Sequence, residues 1–267
     1  MKVLFWNTHN NPKINTILND LIVENNISIV VLAEYNADIK NLIDILKDKG
    51  LKMQQFVTIG CERIVIIGKT IKVEPGVQTD YLSMQILKDK LLLCCIHLNS
   101  QIYADNENQR EILIGRIIRE IRLMEKKLDT EKTVVVGDFN INPYDKDCID
   151  ARYFHGLPIY NETIKRSRTI MGEEFFMFYN PMWNLLGDSK EPYGTYYYSG
   201  SKTVNTYWNM YDQVMVRPAL RERFIDESLK ILTETENTYL TNSKGHPDKN
   251  ISDHLPIMFE IREDNYE

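Results

Sequence analysis

Apolar positions along the chain follow two periods, and the switch between them divides it. Lys2–Trp6 is a short apolar, β-prone run that Asn7 ends. Asn11-Pro12 then predicts a helix start, with Asn as cap and Pro in the first turn. Ile14, Ile17, Leu18, Leu21 and Ile22 follow at the spacing of a one-faced amphipathic helix. Ile27–Ala33 is a continuous apolar strand with Glu34 at its end, and Ile39, Leu42, Ile43 and Leu46 mark a second helix closed by Gly50. After this strand–helix–strand–helix opening come strands with little between them: Met53–Thr58, Arg63–Ile67, Tyr81–Leu87 and Leu91–Leu98. The polar turn Lys88-Asp89-Lys90 joins the last two as a hairpin. Glu107 to Leu128 predicts a long helix whose stripe is Leu113, Ile117, Ile121, Met124 and Leu128, and whose charges form a solvated face. Thr133–Val136 is a buried strand that runs into Gly137, where the backbone is expected to turn, and then into Asp138 and Asn140.

From Ile141 to Gly194 the periodicity fades, and dense Tyr, Phe, Asn and Pro predict loops with one short helix near Asp147–Phe154. Strands resume at Thr195–Tyr198 and Tyr207–Val216, followed by a short helix around Pro218–Phe224, a strand at Ser228–Leu232, a polar loop over 241–250 and a last strand at Pro256–Ile261. Repeats, low-complexity tracts and linkers are absent from the sequence. The expectation is one α/β domain over residues 1–267, built from two packed mixed sheets with helices outside.

Composition narrows the class. With 267 residues, 43% hydrophobic and 26% charged, the chain can bury a sizeable core. It has no apolar run of the roughly 18 residues a membrane span needs. Its N-terminus turns polar too soon for a signal-peptide core. Cys61, Cys94, Cys95 and Cys148 show no C-x-x-C spacing and read as reduced, which suggests a cytoplasmic protein. A net charge of −6 argues against a nucleic-acid coat protein. It leaves room for a nuclease, because a bound divalent metal supplies local positive charge.

Polar residues stand where the apolar strands end: Asn7, Glu34, His97, then Asp138 and Asn140. Asp253-His254 precedes the final strand, and Asp212 interrupts the apolar segment MYDQVMV. Each has an ordinary local reading: an Asx turn, a cap, a hydrogen-bonded core histidine. Together they are costly to bury without partners, and ligands of α/β sheets sit beyond strand ends. Oxygen donors suit Mg²⁺ or Mn²⁺, a His beside an Asp suits acid–base work, and Asn amides can orient water or a phosphoryl oxygen. The set matches metal-assisted, in-line attack of water on a phosphoester. Neither GxxxxGK nor GxSxG occurs, which disfavours a nucleotide-driven motor and an α/β-hydrolase.

The order FWN, LAEYN, IHLNS, VVVGDFN, MYDQVMV, SDHLP resembles the endonuclease/exonuclease/phosphatase superfamily, with the deoxyribonuclease I-like fold, over nearly the whole chain. The resemblance implies a four-layered α/β sandwich of two β-sheets flanked by helices. It also implies roles. Glu34 would be the principal metal ligand, with Asn7 supporting metal or phosphate and Asp253 a further ligand. His254 paired with Asp212 would be the general base or the phosphate contact. Asp138 and Asn140 would orient or activate water and hold the phosphate. His97 matches the deoxyribonuclease branch, in which a Glu pairs with it, and Glu62 stands where that Glu would be. The sequence departs from the pattern at His9, where the abasic-site branch has an acid. Tyr35-Asn36 stand where deoxyribonuclease I places an Arg for the DNA minor groove, and Gln213 follows Asp212.

For the substrate, Lys165, Arg166 and Arg168 are the best short basic cluster and could contact a nucleic-acid backbone. The aromatics of Phe175–Leu186 and Tyr196–Tyr198 either stack on bases or pack their loops. The first reading is a Mg²⁺- or Mn²⁺-dependent endonuclease acting on nucleic acid, DNA ahead of RNA. A phosphoesterase for small molecules or lipid head groups comes second, and a silent binding module with the same fold third.

Overall fold

The computed structural model describes residues 1–69, 72–100, 107–188, 190–201 and 203–263. In chain order the strands are β1 (Lys2–Asn7), β2 (Ile29–Ala33), β3 (Gln54–Gln55), β4 (Ile64–Gly68), β5 (Glu74–Thr79), β6 (Leu82–Ile86), β7 (Leu92–His97), β8 (Thr133–Asp138) and β9 (Gly156–Leu157). They continue with β10 (Ser167–Ile170), β11 (Glu173–Phe176), β12 (Phe178–Tyr179), β13 (Tyr196–Tyr197), β14 (Trp208–Asn209), β15 (Asp212–Val216), β16 (Phe224–Ile231) and β17 (Ile257–Ile261). The helices are α1 (Asn15–Glu24), α2 (Ile39–Asp48), α3 (Glu107–Leu128), α4 (Lys146–Ile149) and α5 (Tyr160–Thr163). One sheet runs β16-β17-β1-β2-β4-β3 and the other β5-β6-β7-β8-β15-β12-β9.

Side-chain alternation sets the layers. Val3 and Phe5 of β1 point to one face, Leu4 and Trp6 to the other, and all four are fully buried. Val3 and Phe5 join Val31, Leu93, Val136, Val214 and Phe259 in a core between the sheets. Leu4, Trp6, Val30 and Leu32 pack instead on Leu18, Leu21 and Ile22 of α1 and on Leu42 and Leu46 of α2. On the second sheet Leu92, Cys94, Ile96 and Val135 pack on Ile114, Ile117 and Ile121 of α3. The order is helices, sheet, sheet, helix, the expected four-layered α/β sandwich. Central strands are apolar on both faces because both faces are covered.

Several expected boundaries move. Asn11 caps no helix. Its Oδ1 accepts from the Lys13 amide at 2.9 Å in a local turn, and α1 begins at Asn15. The run Met53–Thr58 keeps only Gln54–Gln55 as strand, an edge with β4 as its one neighbour. Conversely, Glu74–Thr79 is an edge strand with mostly exposed or half-buried residues and a Pro, so it lacked an apolar signal. Pro218–Phe224 shortens to a 3-10 turn at Pro218–Leu220, because Phe224 already pairs with Ile261 in β16. Tyr207–Val216 divides into β14 and β15. Gly137 does not turn the chain. It continues β8 beside Ile96, where a Cβ would lie 1.9 Å from the Ile96 carbonyl oxygen, so the close strand approach excludes any side chain.

Candidate active site

Strand register assembles the polar residues. Parallel pairing of β7 with β8 sets His97 beside Asp138, and antiparallel pairing of β8 with β15 sets Asp138 beside Asp212. On the other sheet, Asn7 of β1 pairs with Ala33, and Glu34 follows. The strand ends open into a cavity of about 880 Å³ lined by Glu34, His97, Asp138, Asn140, Asp253 and His254.

Asp138 Oδ2 is the convergence point. Asn7 Nδ2 donates to it at 3.0 Å and to Glu34 Oε1 at 3.3 Å, so one amide ties the two sheets together. His97 Nε2 lies 3.5 Å from Glu34 Oε1 and 3.7 Å from Asp138 Oδ2, and His254 Nε2 lies 4.0 Å from the same Asp138 oxygen. Behind His254, Asp212 Oδ2 is 2.8 Å from Nδ1. Asp212 and Asp138 are almost fully buried, whereas the Glu34 side chain keeps 31% of its surface exposed to the cavity.

The backbone is shaped around these groups. Glu34 adopts a left-handed conformation (φ 47°), and its carbonyl is held by the Asn10 amide and the Thr8 hydroxyl, both at 2.8 Å. Such a conformation costs on the order of 1–3 kcal/mol and persists where the surroundings enforce it. Asn140 is also left-handed (φ 51°). Its amide donates to Asp138 Oδ1 at 2.9 Å, so the Asx turn and the site are the same feature. Asn140 Nδ2 donates to the Leu98 carbonyl at 2.9 Å, which fastens the end of β8 to the chain leaving β7.

The charges follow from burial and crowding. Burial pushes the Asp138 carboxyl up to about 7; His254 pulls it down, Asp212 pushes it up again, and hydrogen bonds from Asn7 and the Asn140 amide lower it. For His254, burial disfavours the charge but is outweighed by Asp212 and Asp138, which push it up to about 10, so it stands as an imidazolium. His97 goes the other way. Burial takes it down to about 4 despite Glu34, with Arg63 and His254 adding to the fall. His97 is therefore neutral at pH 7, and its buried Nδ1 has no hydrogen-bond partner.

Asn7, Glu34, His97, Asp138, Asn140, Asp212, Asp253 and His254 all come together. Within that set, Asn7 acts as an amide donor to both carboxylates while its Oδ1 accepts from the His9 amide at 3.1 Å. Asp253 Oδ1 lies 3.1 Å from His9 Nδ1. The expected Glu62–His97 pair does not form. Glu62 is exposed before β4, His97 Nδ1 is unpartnered, and Glu34 and Asp138 are the carboxylates facing His97 Nε2. Nor do Lys165, Arg166 and Arg168 reach the cavity. They are exposed around β10, and Arg166 pairs with Glu131 at 2.7 Å. Of the aromatics, Tyr196 and Tyr198 line the cavity, Tyr197 stacks on His246, and Phe175 and Phe176 line a different groove.

Other functional supports had weaker sequence signals. Ser252 Oγ donates to the Asn7 carbonyl at 2.7 Å and accepts from the His254 amide at 3.1 Å, tying the last loop to β1. Trp6 Nε1 donates to the His254 carbonyl at 2.8 Å, and the Tyr196 ring tilts over the His254 ring with centroids 4.8 Å apart. Ser252 and Trp6 adjoin residues already singled out, and that adjacency was the available signal. Arg63, Tyr144 and Tyr211 also line the cavity, from segments that read only as strand or loop.

No family model matches the chain, and no curated protein matches it by sequence. Solved structures match its fold along almost its entire length. A 3′ phosphatase from Neisseria bound to a product DNA hairpin is 15% identical with a TM-score of 0.58, covering 98% of this chain and 100% of its own. An AP endonuclease from Archaeoglobus fulgidus is 13% identical at TM-score 0.58, with the same coverage. An endonuclease/exonuclease/phosphatase family protein from Leptotrichia buccalis is 13% identical at TM-score 0.56, again covering 98% and 100%. At these identities the likeness establishes the deoxyribonuclease I-like fold that the motif order implied.

Proposed function

We propose that this chain is a divalent-metal-dependent phosphodiesterase acting on nucleic acid, DNA ahead of RNA, and that it works as a single domain. The observation that carries the reading is the convergence on Asp138 Oδ2 of Asn7, His97 and His254, contributed by both sheets. A merely structural aspartate needs one or two partners, not a second carboxylate, two imidazoles and an open cavity. The Neisseria structure with its product DNA hairpin favours a nucleic-acid substrate.

The donor set fits a hard cation. Glu34, Asp138, Asp212 and Asp253 crowd one site, and the buried Asp212 Oδ1 has no partner. Among these, Glu34 is the carboxylate open to the cavity and would hold Mg²⁺ or Mn²⁺, with Asp253 as a further ligand and Asn7 fixing Glu34 in place. Asp138, Asp212 and His254 are also close enough to hold an ion. A protonated imidazole donates rather than ligates, however, so that trio reads better as a hydrogen-bonded relay. When bound, the metal would offset phosphate charge and polarise the phosphoryl group.

The residues supply the rest. Asp212 holds His254 charged, and its Nε2–H donates to a non-bridging phosphoryl oxygen as negative charge builds there. Asp138, with a carboxyl raised toward neutrality, accepts the proton of the attacking water as its oxygen bonds to phosphorus; the P–O bond opposite breaks, and the leaving alkoxide departs into the open cavity and takes a proton from solvent. Asn7 keeps Asp138 and Glu34 in register, and Asn140 fixes Asp138 through its backbone amide. Neutral His97 lies against both carboxylates without adding positive charge.

Incubating the protein with plasmid, single-stranded DNA and RNA in Mg²⁺, Mn²⁺ or EDTA tests this. Metal-dependent cleavage is expected, lost in Glu34→Ala and His254→Ala. Absence of cleavage by the wild type, or equal cleavage by both variants, overturns it. A second reading, a phosphoesterase for small phosphoesters, is favoured by cavity charge: among the described residues Arg63 is the one Lys or Arg lining it. Phosphate release from a panel of soluble phosphoesters separates the two.

A further inference from the structure

Resting on that reading, we propose that Arg63 is a substrate-binding residue that holds the phosphate next to the one under attack. The substrate class is then a phosphodiester chain carrying at least two phosphates. Arg63 immediately precedes β4, and β4 pairs antiparallel with β2 through Ala33 and Ile64. Carrying that register one step further sets Arg63 across from Glu34. The side chain lines the same cavity as Glu34, His97 and Asp138.

The guanidinium is not spent on the protein. It forms no ion pair among the described residues, although Glu34 follows on the neighbouring strand; the Glu34 oxygens accept from Asn7 and from Asn10 (3.1 Å). Instead it lies over the Tyr81 ring, 4.6 Å from the centroid. Tyr81 is itself anchored, its hydroxyl accepting from Asn99 Nδ2 at 3.1 Å, and Asn99 also lines the cavity. Stacking fixes the plane of an arginine while leaving its N–H edge free, and that edge suits the paired oxygens of a phosphate. Arg63 takes no part in the contacts at Asp138 Oδ2, which come from Asn7, His97 and His254, and its guanidinium lies over Tyr81 instead; in the proposed function His254 is the group that meets the reacting phosphoryl oxygen. The group within its reach is therefore the neighbouring phosphate.

Two substrates separate this role from a catalytic one. Bis(p-nitrophenyl) phosphate carries a single phosphate, and fluorescein-labelled octathymidylate carries a run of them. Arg63→Ala is expected to lower kcat/KM on the octamer about tenfold or more, mainly through KM, since a charge-assisted contact of this kind is worth that much. Bis(p-nitrophenyl) phosphate hydrolysis should change less than twofold, and Arg63→Lys should recover part of the loss. The slope of log affinity for the octamer against log salt should become shallower by about 0.7 in Arg63→Ala. Equal losses on both substrates, or no loss on the octamer, overturn the assignment while leaving the phosphodiesterase reading in place. Wild-type cleavage of bis(p-nitrophenyl) phosphate without cleavage of the octamer overturns it as well. If the wild type hydrolyses neither, the phosphodiesterase reading falls. Anisotropy of the labelled octamer then decides Arg63 alone: unchanged affinity and salt slope in Arg63→Ala overturn it, and weaker binding with a shallower slope upholds it.

Discussion

Two hollows of nearly equal volume, about 880 and 840 Å³, mark this molecule, and they differ in how their charges are used. The smaller is a groove bordered by α3 and the β10–β11 hairpin, lined by Arg119, Arg122, Arg166 and Arg217 with Phe175 and Phe176. Counted by cations, it is the better polyanion site. Its arginines are taken, however. Arg217 makes two hydrogen bonds to Glu125 (2.8 and 3.2 Å) and lies 3.8 Å over Phe178, Arg166 pairs with Glu131, and Arg122 bonds the Glu174 carbonyl and stacks on Phe176. In the cleft at the strand ends, carboxylates crowd together with a buried oxygen of Asp212 unpartnered and one arginine at the edge. Paired charges attach α3 to its sheet. In the cleft the charged groups converge on one another around open space, with an acceptor of Asp212 left over.

The sharpest way to break this contrast is at Asp138. Asp138→Asn preserves shape and most hydrogen bonds but removes the proton acceptor, so turnover should fall by about 10²–10⁴ with little change in folding or metal affinity. Kinetics beside a thermal melt check this; loss of metal binding together with activity would reassign Asp138 as a ligand. Next in size is metal removal. Mg²⁺ at about 100 times its Kd should stabilise the wild type by about 2.7 kcal/mol. Glu34→Gln should abolish most of that gain, whereas substitutions in the α3 groove should leave it unchanged. Calorimetric melts with and without Mg²⁺ read both.

Much of this cleft was legible because it is built from strand ends, and strands announce themselves. Asn7, Glu34, His97 and Asp138 each follow or close an apolar run, Asp212 interrupts one, and register then forces His97, Asp138 and Asp212 side by side. Asp253-His254 was readable from SDHLP. What failed was whatever depends on a loop's direction. Glu62 and Arg63 adjoin in sequence, yet the chain entering β4 turns Glu62 to solvent and Arg63 into the cavity, and no periodicity encodes that choice. The basic run Lys165–Arg168 lies away from the strand-end cavity, and Arg166 pairs with Glu131; charge density in sequence does not show pairing in space. The fold followed the same division. α3 was readable from its stripe, whereas β5, β9 and the β10–β11 hairpin were not, being edge or exposed strands whose stability comes from backbone pairing rather than an apolar face.

Within the groove the expected effects concern stability. Arg217→Ala leaves Glu125 nearly buried without its cation and should cost about 3 kcal/mol, with activity per folded molecule unchanged; urea melts and active-fraction assays measure the two separately. His155 lies buried behind the same groove. Burial, with Arg168 and Arg217 nearby, takes it down to about 4. Its folded form thus prefers the neutral ring, while the unfolded chain protonates near pH 6.5. Stability contributed by the neutral ring is complete above pH 6.5 and declines as pH falls toward 4, because over that window the unfolded state binds more protons. His155→Leu should flatten this limb of the stability–pH curve, and an unaltered slope would remove His155 as its source.

The smallest effect expected is also the one that would reverse the comparison. Arg166 and Glu131 form an exposed pair, which contributes roughly 0–1 kcal/mol. Replacing Lys165, Arg166 and Arg168 together by Ala should therefore shift stability by no more than about 1 kcal/mol and leave nucleic-acid turnover and its salt dependence where they were. If the triple variant instead lost affinity for long substrates while still cutting short ones, the groove would be part of the path of the bound strand. Pairing in the free protein would then not mean that those charges are unavailable, since a phosphate can displace Glu131 from Arg166 at little net cost when both are solvated. Arg217 would stay outside such an exchange, because its partner is nearly buried and cannot be released to water without unfolding the attachment of α3. The triple variant therefore separates charges that are paired and replaceable from charges that are paired and structural.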